Sequence, residues 1–521
     1  MLSTATAGGP PGRDEHHPRP LLERERWRSL NGNWEIRLEP DAKWRPIRVP
    51  WTFEAPLSGI GLGGEIHERL SYRRRFAVPE EWRGSRILLH FGAVDWQADV
   101  FLDGHGVGGH RGGYTHFCLD LGRLEGEHEL VVDVFDPADG PQPKGKQRGS
   151  GGIWYTRTTG IWQPVWLEAA PDAHVRTLRV EPSLDGTIEL RLETSAPVDG
   201  TARVLLDGEL LAESTLEAPL RVDGPRLWSP EGPVLYDVEV ELASGDRVST
   251  YTAFRTIERR GREILLNGER RFLRGVLDQG FWPDGVYTAP TDAALRTDVE
   301  AAKSLGFDLA RMHVKVADPR WYAWCDELGL LVAQDIPSSH DLSTTAAREG
   351  FAAETAGIVA QLRGHPCVVC WIAFNEDWGE PPPDFQRRIV RELRAADPTR
   401  LVIDASGWTQ RGDTDLRDVH DYGDDLSRHE SGPDLPLWLG ECGGVSLAVP
   451  GHTWANDFAY RSVDSARALG EARDRLLGQL GEVAGYVWTQ LTDVEGELNG
   501  LLTYDRVPKL GGPGPHGPSP P

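Results

Sequence analysis

The second half of the chain constrains the fold most, because short apolar runs alternate there with helical patterns. Eight such runs follow Ile264: RRFLRGV, DLARMHV, LLVAQDI, CVVCWIAF, LVIDASG, DVHDYG, PLWLGE and GYVWTQL. The first four lead into amphipathic stretches, such as DAALRTDVEAAKSLG and PPDFQRRIVRELRAAD. Strands that are apolar throughout are typical of a parallel sheet buried on both faces. Eight strand–helix units predict a (β/α)8 barrel, with its functional site at the carboxyl ends of the strands.

The first half has a different texture, with short alternating segments separated by Gly, Asp and Pro. SYRRRFAV, RILLHFGAV and HELVVDVFD are examples, and this spacing is typical of β-sandwiches. The Pro- and Gly-rich ends are typical of disordered segments. We therefore predict a disordered segment at 1–20, a first sandwich at 21–170, an immunoglobulin-like sandwich at 171–257, the barrel at 258–509 and a disordered tail at 510–521.

Composition excludes several classes of function. The net charge of −24 disfavours nucleic acid and anionic membranes as partners. No apolar run approaches the roughly 18 residues that would cross a bilayer, and no secretory signal is visible. Five cysteines, an odd number in so long a chain, do not predict a disulfide framework. We expect a cytoplasmic protein.

Two apolar strands end in a glutamate. CVVCWIAF runs into Asn375 and Glu376, and PLWLGE ends at Glu441. In a barrel both carboxylates open onto one face. Cleavage of a glycosidic bond needs such a pair, one carboxyl protonated and the other ionised. The sequence leaves open whether they lie about 5–5.5 Å apart, which retains configuration, or about 6.5–9.5 Å apart, which inverts it. The alternative is that they are ordinary solvated acids.

Motifs along most of the chain point to one family. They are SLNGNW, VFLDGHGVGGHRGGYTHF, TTGIWQPVWLE, LWSPEGPVLYDVEVEL, ILLNGERRFLRGV and LNGLLTYDRVPK, in that order. With these motifs the chain resembles glycoside hydrolase family 2, which includes β-galactosidases, β-glucuronidases and β-mannosidases. The resemblance implies that the first sandwich is a jelly roll that resembles sugar-binding domains.

The resemblance also implies roles for single residues. Glu376 matches the general acid/base, Glu441 matches the nucleophile of a retaining mechanism, and Asn375 matches the partner of the sugar 2-hydroxyl. Arg311 matches a family arginine, with a buried ion-pair partner as the alternative. Further substrate-binding candidates, each weighed against a structural role, are His313, Asp335, His420, Tyr422, Trp488, Trp408 and Asp278.

Three departures from the family narrow the expectation. The stretch GELNGLL lacks the lysine with which β-glucuronidases pair the uronate, which argues against uronic acids. DIPSSHD stands where large β-galactosidases carry magnesium ligands, so we expect no catalytic metal and no cofactor. The second strand, RMHVKV, lacks the motifs common in β-galactosidases, β-glucuronidases and β-mannosidases.

The sequence thus predicts a retaining exo-β-glycosidase whose partner is a carbohydrate, with a β-galactoside as the first candidate. An α-L-arabinopyranoside has nearly the same ring configuration. A non-catalytic carbohydrate-binding protein and a transglycosylase on the same fold are the rival functions. The sequence leaves open whether a homo-oligomer forms, and whether the glycine-rich loop 144–152 reaches the active-site mouth.

Overall fold

A computed structural model describes residues 16–41, 43–454 and 460–510 of the chain. The predicted fold class, two β-sandwiches followed by a barrel, is confirmed. The predicted domain boundaries stay predictions, and the tail from 511 onward lies outside the described residues, as do residues 1–15. None of the helices in the described ranges is long and apolar enough to span a membrane.

All eight predicted barrel strands are present in a parallel sheet. They are β1 Leu273–Asp278, β2 Leu309–Met312, β3 Leu331–Asp335, β4 Val368–Ile372, β5 Leu401–Ile403, β6 Arg417–Asp421, β7 Leu437–Gly443 and β8 Gly485–Thr489. The order around the sheet is β5-β4-β3-β2-β1-β8-β7-β6, so the ring has one unpaired junction, between β5 and β6. Most of these residues are buried, as their continuous apolar sequences predict.

Five α-helices in the described ranges surround the barrel. They are α1 Asp292–Ser304, α2 Pro319–Leu328, α3 Thr345–Leu362, α4 Pro383–Ala396 and α5 Ala466–Leu477. Helix starts follow the expected chemistry: Thr291 and Thr344 cap α1 and α3 with their hydroxyls, and α2 begins at a proline. Within the described ranges, loops replace helices after β5, β6 and β8, so the strand ring is more regular than the helix ring.

The first sandwich packs two main sheets over one apolar core. One sheet contains Trp27–Ser29, Val165–Ala170, Arg86–Phe91 and Phe117–Arg123; the other contains Arg45–Val49, Gly32–Leu38, Arg69–Val78, Gly126–Phe135, Gln97–Leu102 and His105–Arg111. Val94–Asp95 pairs with Gly160–Ile161, and 3-10 turns span Pro56–Ser58 and Glu80–Trp82. All pairings are antiparallel, so alternate residues point to the core.

The second sandwich is smaller and has its own core. Its sheets are Val175–Pro182 with Thr187–Thr194 and Leu220–Arg221, and Glu209–Thr215 with Gly200–Leu206, Tyr236–Leu242 and Arg247–Thr252. A three-stranded sheet of Ile257–Arg260, Glu263–Leu266 and Glu269–Arg270 leads into the barrel, and Val445–Ser446 pairs with Arg461–Ser462 beyond β7.

Several segments of the first half contact the barrel, and two of them bear on the sequence predictions. In the loop 144–152, the backbone N–H groups of Lys144 and Gly145 donate to the Ser338 carbonyl, at 2.9 and 3.0 Å. Ser338 follows β3, so this loop lies at the face where the strands end. At the end of the segment predicted to be disordered, the backbone of His16 donates to Asp292 at 3.0 Å, and the His17 side chain is buried. The His16 ring also packs on Trp324 of the barrel, which explains why residues 16 and 17 are fixed against it.

Candidate active site

Two glutamates face each other at the carboxyl ends of the barrel strands. Glu376 lies four residues beyond the end of β4, and Glu441 lies within β7. One carboxylate oxygen of each, together with a ring nitrogen of His420, forms a group whose atoms all lie within 4.8 Å of one another. Glu441 is 5 % exposed, whereas Glu376 is half-buried. The structure therefore brings together the carboxylate pair that the sequence predicts.

The backbone around Glu376 is strained. Glu376 and Asp377 adopt φ angles of 47° and 62°, in the left-handed region that non-glycine residues seldom occupy. Such conformations cluster at functional sites, where the surrounding structure holds them. Here the Glu376 N–H donates to the Ser406 carbonyl at 2.9 Å, which ties this turn to the loop after β5.

Arg311 on β2 connects most members of the site. Its guanidinium is fully buried and donates to Asp335 at 2.9 Å, to the Asn375 Oδ1 at 2.8 Å and to the Glu441 Oε1 at 3.2 Å. Five N–H donors in a rigid fork suit this task better than a lysine would. The contacts agree with both interpretations of Arg311: it is a buried ion-pair partner, and it positions the Asn375 and Glu441 side chains.

The environment keeps Glu441 ionised. Burial by itself raises the pKa of this carboxyl. The charges of His420 and Arg311, with a hydrogen bond from Tyr422, outweigh burial and lower the pKa to about 2. Glu441 is thus an anion across the physiological pH range, which suits a nucleophile.

His420 lies between the two glutamates. Its Nδ1 is 2.6 Å from the Glu376 Oε1, and its Nε2 is 3.6 Å from the Glu441 Oε1 and 2.7 Å from the Ser406 hydroxyl. Burial lowers the pKa of the imidazole, but Glu441 and the hydrogen bond with Glu376 outweigh it and raise the pKa above its ordinary value.

His313 and Asp335 form a second pair on the same rim. The His313 Nδ1 lies 2.9 Å from the Asp335 Oδ2 and 4.0 Å from the Glu441 Oε1. Burial lowers the pKa of His313, so the ring is neutral near pH 7. For Asp335, burial is outweighed by Arg311, which lowers the pKa of the carboxyl.

Two of the buried N–H groups without a hydrogen-bond partner in the described part of the chain belong to predicted site residues: the Asn375 Nδ2 and the Trp488 Nε1. Asn375 adjoins Glu376, and Trp488 is on β8 beside Cys442, the residue after Glu441. Leaving a buried donor unpaired costs on the order of 1–3 kcal/mol. Both groups are therefore well suited to donate to a ligand.

The chain is similar to several known glycosidases. The family model described as glycosyl hydrolases family 2 matches residues 173–255. A putative beta-glucuronidase of Formosa agariphila is 26% identical over 83% of this chain and 44% of its own length. A beta-galactosidase of Thermoanaerobacter pseudethanolicus is 27% identical over 70% of this chain and 52% of its own length.

The chain resembles glycoside hydrolase family 2, as its sequence motifs predict. It spans about half the length of the curated relatives it matches. Among solved structures, a Ruminococcus gnavus β-glucuronidase in complex with D-glucuronic acid has a TM-score of 0.77 at 20% identity, over 95% of this chain and 98% of that one. At that identity the likeness shows a shared fold.

Two of the predicted family 2 site residues stand apart from the central group. The Asp278 carboxylate, on β1, accepts from the backbone of Gly280 at 2.8 Å, and in the described ranges it has no hydrogen bond to either glutamate. Trp408 is 65 % exposed and contacts the site through its ring edge, 5.7 Å from the His420 ring. Position at a strand end predicts the correct face of the barrel, but it does not predict which way a side chain turns.

Four residues near the candidate site were not predicted from the sequence. Ser406 contacts His420, Lys146 lies 3.5 Å from Glu497, and Trp378 lies 6.0 Å from His313 between ring centroids. Trp378 had a signal in sequence, because it follows Glu376 by two positions. Lys146 and Glu497 come from different domains, so only the fold brings them together.

A metal could be ligated at one place within the described residues. Glu376, His420 and Glu441 form the single group there with three suitable ligand atoms. Of these residues, His420 and Glu376 are hydrogen-bonded to each other. The absence of a catalytic metal stays a prediction.

Proposed function

We propose that this protein is a retaining exo-β-glycosidase, with Glu376 as acid/base and Glu441 as nucleophile. The observation that carries the proposal is the approach of the two carboxylates, whose nearest oxygens lie within 4.8 Å. That separation is closer to the roughly 5–5.5 Å of retaining enzymes than to the roughly 6.5–9.5 Å of inverting ones. The loop 144–152 packs at the barrel mouth, which favours a terminal sugar over an internal one.

In the first step the Glu441 carboxylate attacks the anomeric carbon. Its low pKa keeps it ionised, and the Tyr422 hydroxyl donates to its Oε2 and holds its orientation. The free Asn375 amide N–H is placed to donate to the sugar 2-hydroxyl, a contact that strengthens in the transition state. The Trp488 indole is fully buried, so it supports the site from within the barrel, and its N–H has no partner in the described ranges.

Glu376 supplies and recovers the proton. As an acid it protonates the leaving oxygen while the bond to the anomeric carbon breaks and the glycosyl–Glu441 ester forms. As a base it then takes a proton from the water that hydrolyses the ester, which restores both carboxyl groups. His420, 2.6 Å away, holds Glu376 in place throughout.

A neutral sugar is the first candidate for the glycone, with a β-galactoside preferred. A uronate would need a cation that no carboxylate already compensates. Lys146 lies nearby, but its ammonium is 3.5 Å from the Glu497 carboxylate and both are buried. A β-glucuronide is the second candidate, since relatives bear that name and Lys146 supplies a positive charge.

The test uses 4-nitrophenyl β-D-galactoside, glucoside, mannoside, glucuronide and α-L-arabinopyranoside. Wild type should hydrolyse one of them, and Glu441→Ala should lose at least ~10³ in kcat, because the covalent step is removed. Added azide separates the two glutamates. With Glu441→Ala it should give a product of inverted configuration, and with Glu376→Ala a product of retained configuration.

Two outcomes would contradict the proposal. An inverted product from wild type would exclude the retaining mechanism. Sugar binding that survives Glu441→Ala, without turnover by wild type of any glycoside, would favour the carbohydrate-binding alternative. A transglycosylase would be recognised by transfer of the glycosyl group to an added sugar in preference to water.

A further inference from the structure

A cleft of about 450 Å³ lies beside Glu376 and is not used by the mechanism above. Three segments line it: Arg148 and Trp154 from the first sandwich, His340 and Asp341 after β3, and Asp377 and Trp378 after β4. This volume is within the range of about 300–1,000 Å³ that is usual for small-ligand sites. Because two domains build the cleft, it is a feature of the assembled chain.

Aromatic rings form one corner of this cleft. The ring centroids of Trp154 and Trp378 are 4.9 Å apart with 47° between the planes, and His340 lies 5.1 Å from Trp154. The Arg148 guanidinium carbon lies 4.9 Å from the Trp154 ring centroid. Both indoles are only half-buried, so they offer apolar surface to a ligand.

The cleft adjoins the reacting atoms on the side of the acid/base. Trp378 follows Glu376 by two residues. Its backbone N–H donates to the Asn375 carbonyl at 2.9 Å, which closes a tight turn. The Trp378 ring lies 6.0 Å from the His313 ring, and His313 is 4.0 Å from Glu441. Trp378 thus belongs both to the wall of the cleft and to the turn that carries Glu376. The cleft is therefore next to the residue that the proposed function assigns to protonation of the leaving group.

The polar groups of the cleft favour a neutral, hydroxyl-rich ligand. Burial lowers the pKa of His340 to about 4, so its ring is uncharged, and its Nε2 donates to the Gly145 carbonyl at 2.7 Å. Hydrogen bonds from Ser343 lower the pKa of Asp341, which is therefore ionised. With Asp377 and Glu380 also present, carboxylates outnumber the Arg148 cation, which disfavours an anionic ligand.

We propose that this cleft is a leaving-group subsite that binds a neutral pyranose, with Trp154 and Trp378 as its stacking surface. The proposal rests on the glycosidase function above and makes the substrate a disaccharide or longer oligosaccharide. A pyranose has an apolar C–H face that packs on an indole and hydroxyls that carboxylates and a guanidinium can bind.

The kinetic test compares two substrates with the glycone that wild type accepts. One is that sugar linked β-1,4 to glucose, and the other is its glycosyl fluoride, whose leaving group is a single atom. Trp154→Ala should lower kcat/KM at least ~10-fold for the disaccharide and less than ~2-fold for the fluoride. Trp154→Phe keeps a ring and should recover most of the loss. Trp44→Ala, on the surface of the first sandwich, is the matched control and should change neither substrate.

Equal losses on both substrates would show that Trp154 only supports the fold, and an unchanged disaccharide rate would overturn the subsite. If wild type hydrolyses neither substrate, the glycosidase function fails separately. Saturation-transfer NMR with methyl β-D-glucopyranoside then tests whether the cleft binds a pyranose. A signal that Trp154→Ala abolishes and Trp44→Ala preserves would support it, and a missing signal or one that Trp154→Ala leaves intact would overturn it.

Discussion

Glu54 in the first sandwich and Glu441 in the barrel are equally hidden from water, yet their acid–base properties are opposite. They are 3 % and 5 % exposed. Burial raises the pKa of Glu54 to about 8, whereas the pKa of Glu441 is lowered to about 2. Glu54 has one oxygen without a hydrogen-bond partner in the described ranges, while Glu441 receives bonds from Arg311 and Tyr422.

The difference shows what a buried carboxyl needs in order to react as an anion. A low-dielectric surrounding favours the neutral acid, and only a nearby cation with directed donors reverses that preference. In the barrel, β2, β6 and β7 place Arg311, Tyr422 and Glu441 at one rim. The sandwich places Glu54 near Arg157, whose charge only partly opposes burial.

Of the three substitutions considered, removal of Arg311 should most strongly reduce the difference between the acid–base properties of Glu441 and Glu54. Arg311→Met leaves Asp335 and Glu441 buried without their cation, so we expect the free energy of unfolding to fall by about 3–5 kcal/mol. Activity should fall at least ~10²-fold, since the pKa of Glu441 rises. Denaturant unfolding and kcat on the accepted aryl glycoside measure both effects.

Arg388→Met is the matched control, because Arg388 forms ion pairs with Glu349 and Glu392 at the exposed surface of α4. Exposed pairs contribute roughly 0–1 kcal/mol. If Arg311→Met does not fold, Arg311→Lys keeps the charge without the guanidinium fork and should still lose activity. Equal stability of the Arg311→Met and Arg388→Met variants would contradict the role given to Arg311.

Glu54→Gln should remove the pH-dependent loss of stability that the buried Glu54 carboxyl causes in the first sandwich. The folded-state pKa of Glu54, about 8, exceeds the ordinary value of 4.5, so folding takes up a proton between these values. The contribution of Glu54 to stability is therefore complete below pH 4.5 and is lost as pH rises through 8. Glu54→Gln should be more stable than wild type at pH 8 by on the order of 2–4 kcal/mol, with little difference at pH 4.5.

Urea unfolding at both pH values measures this effect, and Glu80→Gln, at an exposed position, is the control. A Glu54→Gln variant whose difference from wild type stays constant between pH 4.5 and pH 8 would show that Glu54 is not neutral in the folded protein.

Tyr422→Phe should give the smallest effect of the three. The phenol donates to the ionised Glu441, so its loss raises the pKa of that carboxyl. The acidic limb of the kcat/KM profile should move to higher pH, and kcat should fall about tenfold, in line with about 1.5–3 kcal/mol for a charged hydrogen bond. Tyr236→Phe in the second sandwich is the control. An acidic limb at the same pH as in wild type would show that Tyr422 does not affect the ionisation of Glu441.

Much of the site could be predicted because strand ends in a barrel share one face. Glu376, Glu441, His420 and Tyr422 each follow or end an apolar run, and the structure places them together. Asp278 satisfies the same rule but accepts from Gly280 instead. Alternation along β1 and the local turn decide its direction, and the apolar pattern of a strand buried on both faces carries no such information.

The sequence by itself determined the two sandwiches, the eight barrel strands and the pair of glutamates, because hydrophobic periodicity and strand order are local properties of the chain. Only the tertiary structure decided that Arg311 and His420 tune Glu441, that Lys146 meets Glu497, and that Trp154 meets Trp378 beside Glu376. These contacts join distant segments, and their energies depend on burial and on separations of a few ångströms, which no pattern of residues along the chain specifies.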